Sequence, residues 1–276
     1  MIKLSKTLKN NRAATVGLIG LLILILIAAF APWIAPYDPW DLVGRPFAHP
    51  SFDSFILGTD TLGRDVLSGI LFGARISLFI SLVATIVSAI LGVTVGAIAG
   101  LCGGKIDTLL MSVTEFFQTI PSFFLAILLV AIFQPSVASI VFAIAIVTWP
   151  PIARLTRAEF LALRNREYVL AAISSGRSQL DIALREILPN ALPPIIVMSS
   201  LGVATSILME SALSFLGLGD PNLISWGYMI GAGRTVIRQA WWISVFPGIA
   251  VVATVLAVNT IGQGLNDILD PKQSEG

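Results

Sequence analysis

The sequence predicts an all-α polytopic membrane protein with six transmembrane helices. Three observations point there. The 276 residues are 56% hydrophobic and only 12% charged, with a mean hydropathy of +0.89, whereas a soluble domain carries about 25% charged residues. The few charges are clustered: no Lys, Arg, Asp or Glu occurs between Arg12 and Asp38, Arg75 and Lys105, Glu115 and Arg154, Glu186 and Glu210, or Arg238 and Asp267. A spanning helix needs about 20 apolar residues. Four of these stretches fit one helix each, and the third fits two with a break at Gln134-Pro135. Backbone groups in lipid must be satisfied internally, and these lengths suit helices rather than barrel strands.

In chain order, residues 1–15 form a tail with Lys3, Lys6, Lys9 and Arg12 and no acid. The first span, 16–35, ends at Pro32 and Pro36. Its apolar run exceeds the roughly 7–15 residues of a signal-peptide core, so an uncleaved helix is expected. An external loop, 36–75, carries Asp38, Asp41, Asp53, Asp60 and Asp65 against Arg45 and Arg64, with turns at Asp38-Pro39 and His49-Pro50. The permease-like core occupies 76–266. Its second span, Ile76–Leu101, aligns Gly92, Gly96 and Gly100 on one face, for packing within the bundle or against a partner subunit. A Gly103-Gly104-Lys105 turn leads into a helix from Ile106 to Phe133, with Glu115 and Gln118 near its inner end before Pro121.

The fourth span, Val137–Ala153, is expected to kink or stop at Pro150-Pro151. A charged loop follows, 154–190, with Arg154, Arg157, Arg164, Arg166, Arg177 and Arg185. The fifth span, Ala191–Leu213, has Pro193 and Pro194 in its first turn, where missing N–H groups cost little. An outer loop bearing Trp226, Trp241 and Trp242 precedes the sixth span, Ile243–Leu265, and a tail, 267–276. The basic clusters put the N-terminus, the charged loop and the C-terminus in the cytoplasm. Arg234 and Arg238 run against that bias.

Several chemistries are missing from the sequence. There is no G-x-x-x-x-G-K-[ST] phosphate loop, since Ala99 takes the first glycine position before Gly104-Lys105 and Ile106 follows. No H-E-x-x-H, Cys cluster or plausible Ser/His/Asp set occurs, and the lone Cys102 excludes an internal disulfide. His49, the single histidine, reads as a surface residue. Glu210, within or at the outer end of the fifth span, is a functional candidate or a structural partner of Arg234 or Arg238. Glu115 and Gln118 either line a pathway or hold helices together. Asp60, Arg64 and Asp65 either contact an external protein or form a local network.

The stretch Arg164–Asn190 resembles the cytoplasmic "EAA" coupling loop of binding-protein-dependent ABC importer permeases. Reading back from Pro189, Leu188, Gly176, Ala172 and Ala171 match the pattern; Leu170 stands where it has Glu, and Glu186 where it often has Ile. The resemblance implies an apolar knob of Tyr168, Val169, Ala171 and Ala172 docked in a partner's cleft, with Gly176 permitting a reversal. Leu57–Leu78 is similar to the Gly-Thr-Asp-x-x-Gly-Arg-Asp block of dipeptide/oligopeptide/nickel permeases. Glu210–Gly219, with the tryptophans after it, looks like the last third of their "C"-type subunit.

What this implies is a type I ABC importer permease fold and a transport subunit without enzyme activity or cofactor of its own. It forms half of a path for di- or oligopeptides; nickel chelates or another small solute are the alternative cargo. Its implied partners are a homologous second permease, two cytoplasmic ATPases that hold ATP and Mg, an external solute-binding protein and membrane lipid, with no nucleic acid. Its implied place is the bacterial inner membrane. An ion-gradient-driven secondary transporter is the reading from another class, and it would be expected to show inverted repeats or paired intramembrane charges.

Overall fold

A computed structural model describes residues 12–269; Lys3, Lys6, Lys9 and the last tail residues lie outside them. The helices are α1 (Arg12–Ile34), α2 (Val66–Cys102), α3 (Gly104–Thr119), α4 (Ser122–Phe133), α5 (Val137–Leu163), α6 (Glu167–Ser174), α7 (Gln179–Ile182), α8 (Leu188–Phe215), α9 (Trp226–Gly233) and α10 (Trp242–Leu269). Five segments are long and apolar enough to cross a membrane: α1, α2, α5, α7–α8 and α10. The pair α3–α4, bent by 88°, passes the same test only when taken together; counted as one broken span it brings the number to six.

Four boundaries differ from expectation, each for a local reason. The second helix starts at Val66, well before Ile76, so the last part of 36–75 is helical rather than loop. The Asp65 carboxylate caps it, accepting from Ser68 N at 2.8 Å and Ser68 Oγ at 2.7 Å. Arg75 marks the end of a charge-free run in sequence, yet it sits inside this helix. The third span is interrupted at Ile120, whose extended ψ of 128° is what a residue before proline prefers.

The fourth helix neither stops nor breaks at Pro150-Pro151 but runs on to Leu163. Those prolines supply no N–H to the carbonyls of Ile146 and Val147, and helices in bundles tolerate this because neighbours compensate. The fifth span starts at Leu188 rather than Ala191, so Pro193 and Pro194 lie beyond its first turn. A π turn, Ala183–Ile187, joins it to α7, so most of the nominal loop 154–190 is helical. Pro189 cannot donate to the carbonyl four residues back, and the wider turn bonds Leu188 N to Ala183 O instead.

The glycine row packs inside the chain. A Cβ at Gly92 would lie 2.7 Å from Ile152 Cβ, and one at Gly100 2.6 Å from Phe160 Cβ; at Gly96 it would meet the Ala153 carbonyl. This α2–α5 seam is the spine of the bundle. Gln134, with φ +68°, ends α4 next to Pro135, which returns the chain as α5.

Candidate coupling face and transport pathway

Helix α6 is two turns long, so only its packing can hold it. Val169 and Ala172, three residues apart, share a face and are buried among Phe160, Ile182, Ala183 and Ile187. That corrects the expected knob: Val169 and Ala172 bind the helix to its own chain and cannot dock in a partner. Tyr168 (39% exposed), Leu170 (49%), Ile173 (54%) and Ala171 point outward instead. Leu170, where the family pattern has an acid, therefore adds to an exposed apolar surface.

The reversal after α6 is a Schellman cap. Gly176 has φ +76°, its N–H bonds Ile173 O at 2.9 Å, and Arg177 N bonds Ala172 O at 3.3 Å. Arg177 then binds Asp181 at 2.8 Å and pairs with Glu186, while Arg185 binds Asp181 at 2.8 Å. The hydrogen bond to Glu186 raises the Arg177 guanidinium above its ordinary pKa. Glu186, unusual at its position, thus has a partner within the chain. Leu188 packs against the buried cluster, and Pro189 is exposed next to it. Asn190 Nδ2 donates to Glu186 O at 2.7 Å, a tie that the Leu-Pro-Asn exit did not reveal.

Deeper in the bundle, α2, α5 and α8 enclose a cleft of about 270 Å³ lined by Thr85, Ser88, Ser122, Thr148, Gly202 and Thr205, among others. Thr148 Oγ1 donates to Ser88 Oγ at 3.0 Å, and Thr85 and Ser206 exchange a hydrogen bond at 3.1 Å. Val147, whose carbonyl faces the missing N–H of Pro151, lies on the same wall. These neutral hydroxyls are the functional candidates that sequence reasoning passed over, because it searched for charge.

None of the expected pathway residues lines this cleft. Gln118 accepts from Arg154 Nη1 at 3.0 Å and ties α3 to α5, and Glu115 is exposed on α3. Asp107 and Arg157 clamp the same two helices, Nη2 to Oδ2 at 2.6 Å. Glu210 is fully buried on α8, outside the lining of the cleft. Its carboxyl group accepts from Ser214 Oγ at 2.8 Å and Ser211 Oγ at 3.4 Å, and Ser77 and Ser225 also bond it. Glu210 pairs with neither expected arginine: Arg234 lies over the Phe215 ring at 5.6 Å, and no ion pair joins Arg238 among the described residues. The glutamate instead links α8, α2 and the cap of α9, where Trp226 N bonds Ser77 Oγ at 3.3 Å.

The outer candidates are likewise structural in part. Asp65 is 3% exposed and occupied as a cap, so it presents no surface to another protein. Asp60 staples its own turn, accepting from Leu62 N and Arg64 N at 2.8 and 2.9 Å. The Arg64 guanidinium stacks over Trp40 at 4.6 Å and pairs with neither aspartate. Thr59 is buried, and its carbonyl accepts from Trp242 Nε1 at 3.1 Å. His49 packs on Trp242 at 4.7 Å between ring centroids, away from any set of metal-ligating groups among the described residues.

Comparison with known proteins gives a consistent picture. The family described as binding-protein-dependent transport system inner membrane component matches residues 92–275, and the N-terminal TM domain of oligopeptide transport permease C matches residues 4–50. The dipeptide transport system permease protein DppC of Escherichia coli (strain K12) is 44% identical over 271 residues, covering 96% of this chain and 90% of that protein. The di/tripeptide transport system permease protein DppC of Pseudomonas aeruginosa (strain UCBPP-PA14) is 39% identical over 270 residues, covering 95% and 89%. An inward-facing structure of the MetNI methionine ABC transporter shares the fold at a TM-score of 0.61 and 16% identity, covering 73% of this chain and 96% of that one.

Proposed function

The chain belongs to the family of binding-protein-dependent transport system inner membrane components, and from that premise we propose that it forms half of a translocation path for di- or oligopeptides. It is a multi-pass transport subunit of an ATP-driven importer, not an enzyme. In this reading a second permease completes the path and an external binding protein delivers the peptide. ATP and Mg reside in two cytoplasmic ATPases, and both termini face the cytoplasm. The cleft is mainly apolar, with Val147, Ile152, Met198, Leu201 and Met209 in its wall, and the hydroxyls of Thr85, Ser88, Ser122, Thr148 and Thr205 set among them add neutral groups that can both donate to and accept from a peptide backbone.

The observation that carries the proposal is the two-sided α6. One face is packed on α7 and on the π turn that leads into α8, in the apolar cluster that also holds Phe160 of α5, and the other shows Tyr168, Leu170, Ala171 and Ile173 to the outside. Pressure on the outer face moves α5 and α8, and both of those helices wall the cleft.

The test is peptide uptake into vesicles containing the assembled transporter, wild type or Ile173→Asp. ATP-dependent dipeptide uptake by wild type is expected, with Ile173→Asp inserted normally but deprived of ATPase association and uptake. Uptake driven by an ion gradient without ATP would favour the secondary-transporter reading. Competition by a nickel chelate but not by peptides would reassign the cargo.

A further inference from the structure

Arg75 has no use in the transport reading. It lies on α2, and among the described residues it takes no hydrogen bond or ion pair. Around it is a cleft of about 420 Å³ formed by Pro39, Trp40, Phe72, Phe79, Leu223 and Ile224, with no acid in its lining. Arg75 is exposed and has no acid beside it, so the cleft presents an uncompensated positive charge against aromatic and apolar walls, a setting suited to an anion with an apolar body.

Its depth identifies which kind. At the inner end of α2, Gly96 and Gly100 pack against Arg157, whose charged pair with Asp107 marks the polar boundary. A helix rises 1.5 Å per residue, so a hydrocarbon core of about 30 Å spans about 20 residues. Counted up from Gly96 and Gly100, that length ends between Ile76 and Ile80. That range puts Arg75 at or just beyond the outer edge of the hydrocarbon, in the headgroup region.

Below it Phe79, Leu82, Ile86 and Ile90 continue the same helical stripe, all of them exposed. From Arg75 to Ile86 the rise is about 16 Å, roughly one leaflet. The stripe lies on a different face of α2 from Thr85 and Ser88, so this cleft is separate from the peptide path.

We propose that this cleft is a specific phospholipid site of the outer leaflet, with the phosphate held by Arg75 and one acyl chain lying along Phe79, Leu82 and Ile86. The aromatic rim encloses the headgroup and glycerol region, and the guanidinium fits a phosphate through paired N–H donors.

Native mass spectrometry of the purified transporter titrated with phosphatidylglycerol tests this. Wild type is expected to keep one tightly held phosphatidylglycerol per copy of this chain, and Arg75→Lys, which keeps the charge but loses the paired donors, to hold it more weakly than wild type but better than Arg75→Gln. Arg75→Gln is expected to weaken that adduct roughly tenfold, the scale of one lost charge-assisted contact. Phe79→Asn, which leaves the cation in place, should weaken it as well and serves where Arg75→Gln does not assemble. Equal retention by all variants would overturn the site. So would a crosslink from position 75 to the second permease, since that would make the cleft a subunit interface.

Discussion

In the proposed orientation, the outer and inner ends of this molecule are held together in opposite ways. Outside, buried polar groups make the joints: Asp65 caps α2, Thr59 takes the Trp242 indole, and Glu210 gathers serines from α2, α8 and α9. Inside, α6 is held by one apolar face, with half-buried ion pairs around Arg177 beside it. A directional hydrogen-bond network has one good geometry and resists sliding. Apolar packing is less directional. The outer end is thus built as a frame and the inner end as a lever that can transmit displacement.

The change expected to break this contrast most severely is Ala172→Asp. It places an unpaired carboxylate against Phe160 and Ile182, at a cost of several kcal/mol. The α6 segment should then leave the bundle, so limited proteolysis of inside-out vesicles should show new cleavage near residues 164–178 and uptake should vanish. A wild-type cleavage pattern with loss of ATPase binding alone would mean that Ala172 faces the partner after all.

Next is Glu210→Ala, which leaves a cavity and orphans several serine hydroxyls, about 2–4 kcal/mol. Glu210→Gln retains hydrogen bonding at the same shape and should cost about 1 kcal/mol. The apparent Tm of the purified transporter should fall much further for Ala than for Gln. Equal falls, or normal stability with lost transport for Gln, would show that the charge itself is used and that the outer frame is also a working part.

A smaller effect belongs to Gly176. Valine in its left-handed backbone is strained by about 1–3 kcal/mol, although nothing crowds the Cβ. Peptide-stimulated ATP hydrolysis should fall several-fold for Gly176→Val and stay near wild type for Gly176→Asn, because Asn tolerates that conformation. Equal losses would move the defect from backbone to contact. The smallest is Glu186→Ile, which removes a half-buried partner of Arg177 near the surface and should shift stability by less than about 1 kcal/mol. A larger loss of apparent Tm would make the ion pairs, not the apolar face, the main fastening of the lever.

Much of this architecture was legible from sequence because lipid tolerates neither charge nor unpaired backbone. Charge-free runs must then be spans, and their count follows. Gly176 was legible for a related reason, since a left-handed reversal right after an apolar helix favours glycine over residues with a bulky Cβ. The orientation of α6 was not legible. Tyr168, Val169, Leu170, Ala171, Ala172 and Ile173 are all apolar or amphipathic, so periodicity alone cannot say which face is inward, and the packing of Phe160 and Ile187 decided it.

Tertiary structure also decided the course of α5 through Pro150-Pro151 and the choice of serines over arginines by Glu210. It decided as well the burial of the glycine row within the chain. Each of these depends on which surface a neighbouring helix brings within a few ångströms. The composition of a span records that it must be buried in something apolar, and only the assembled bundle determines what that is.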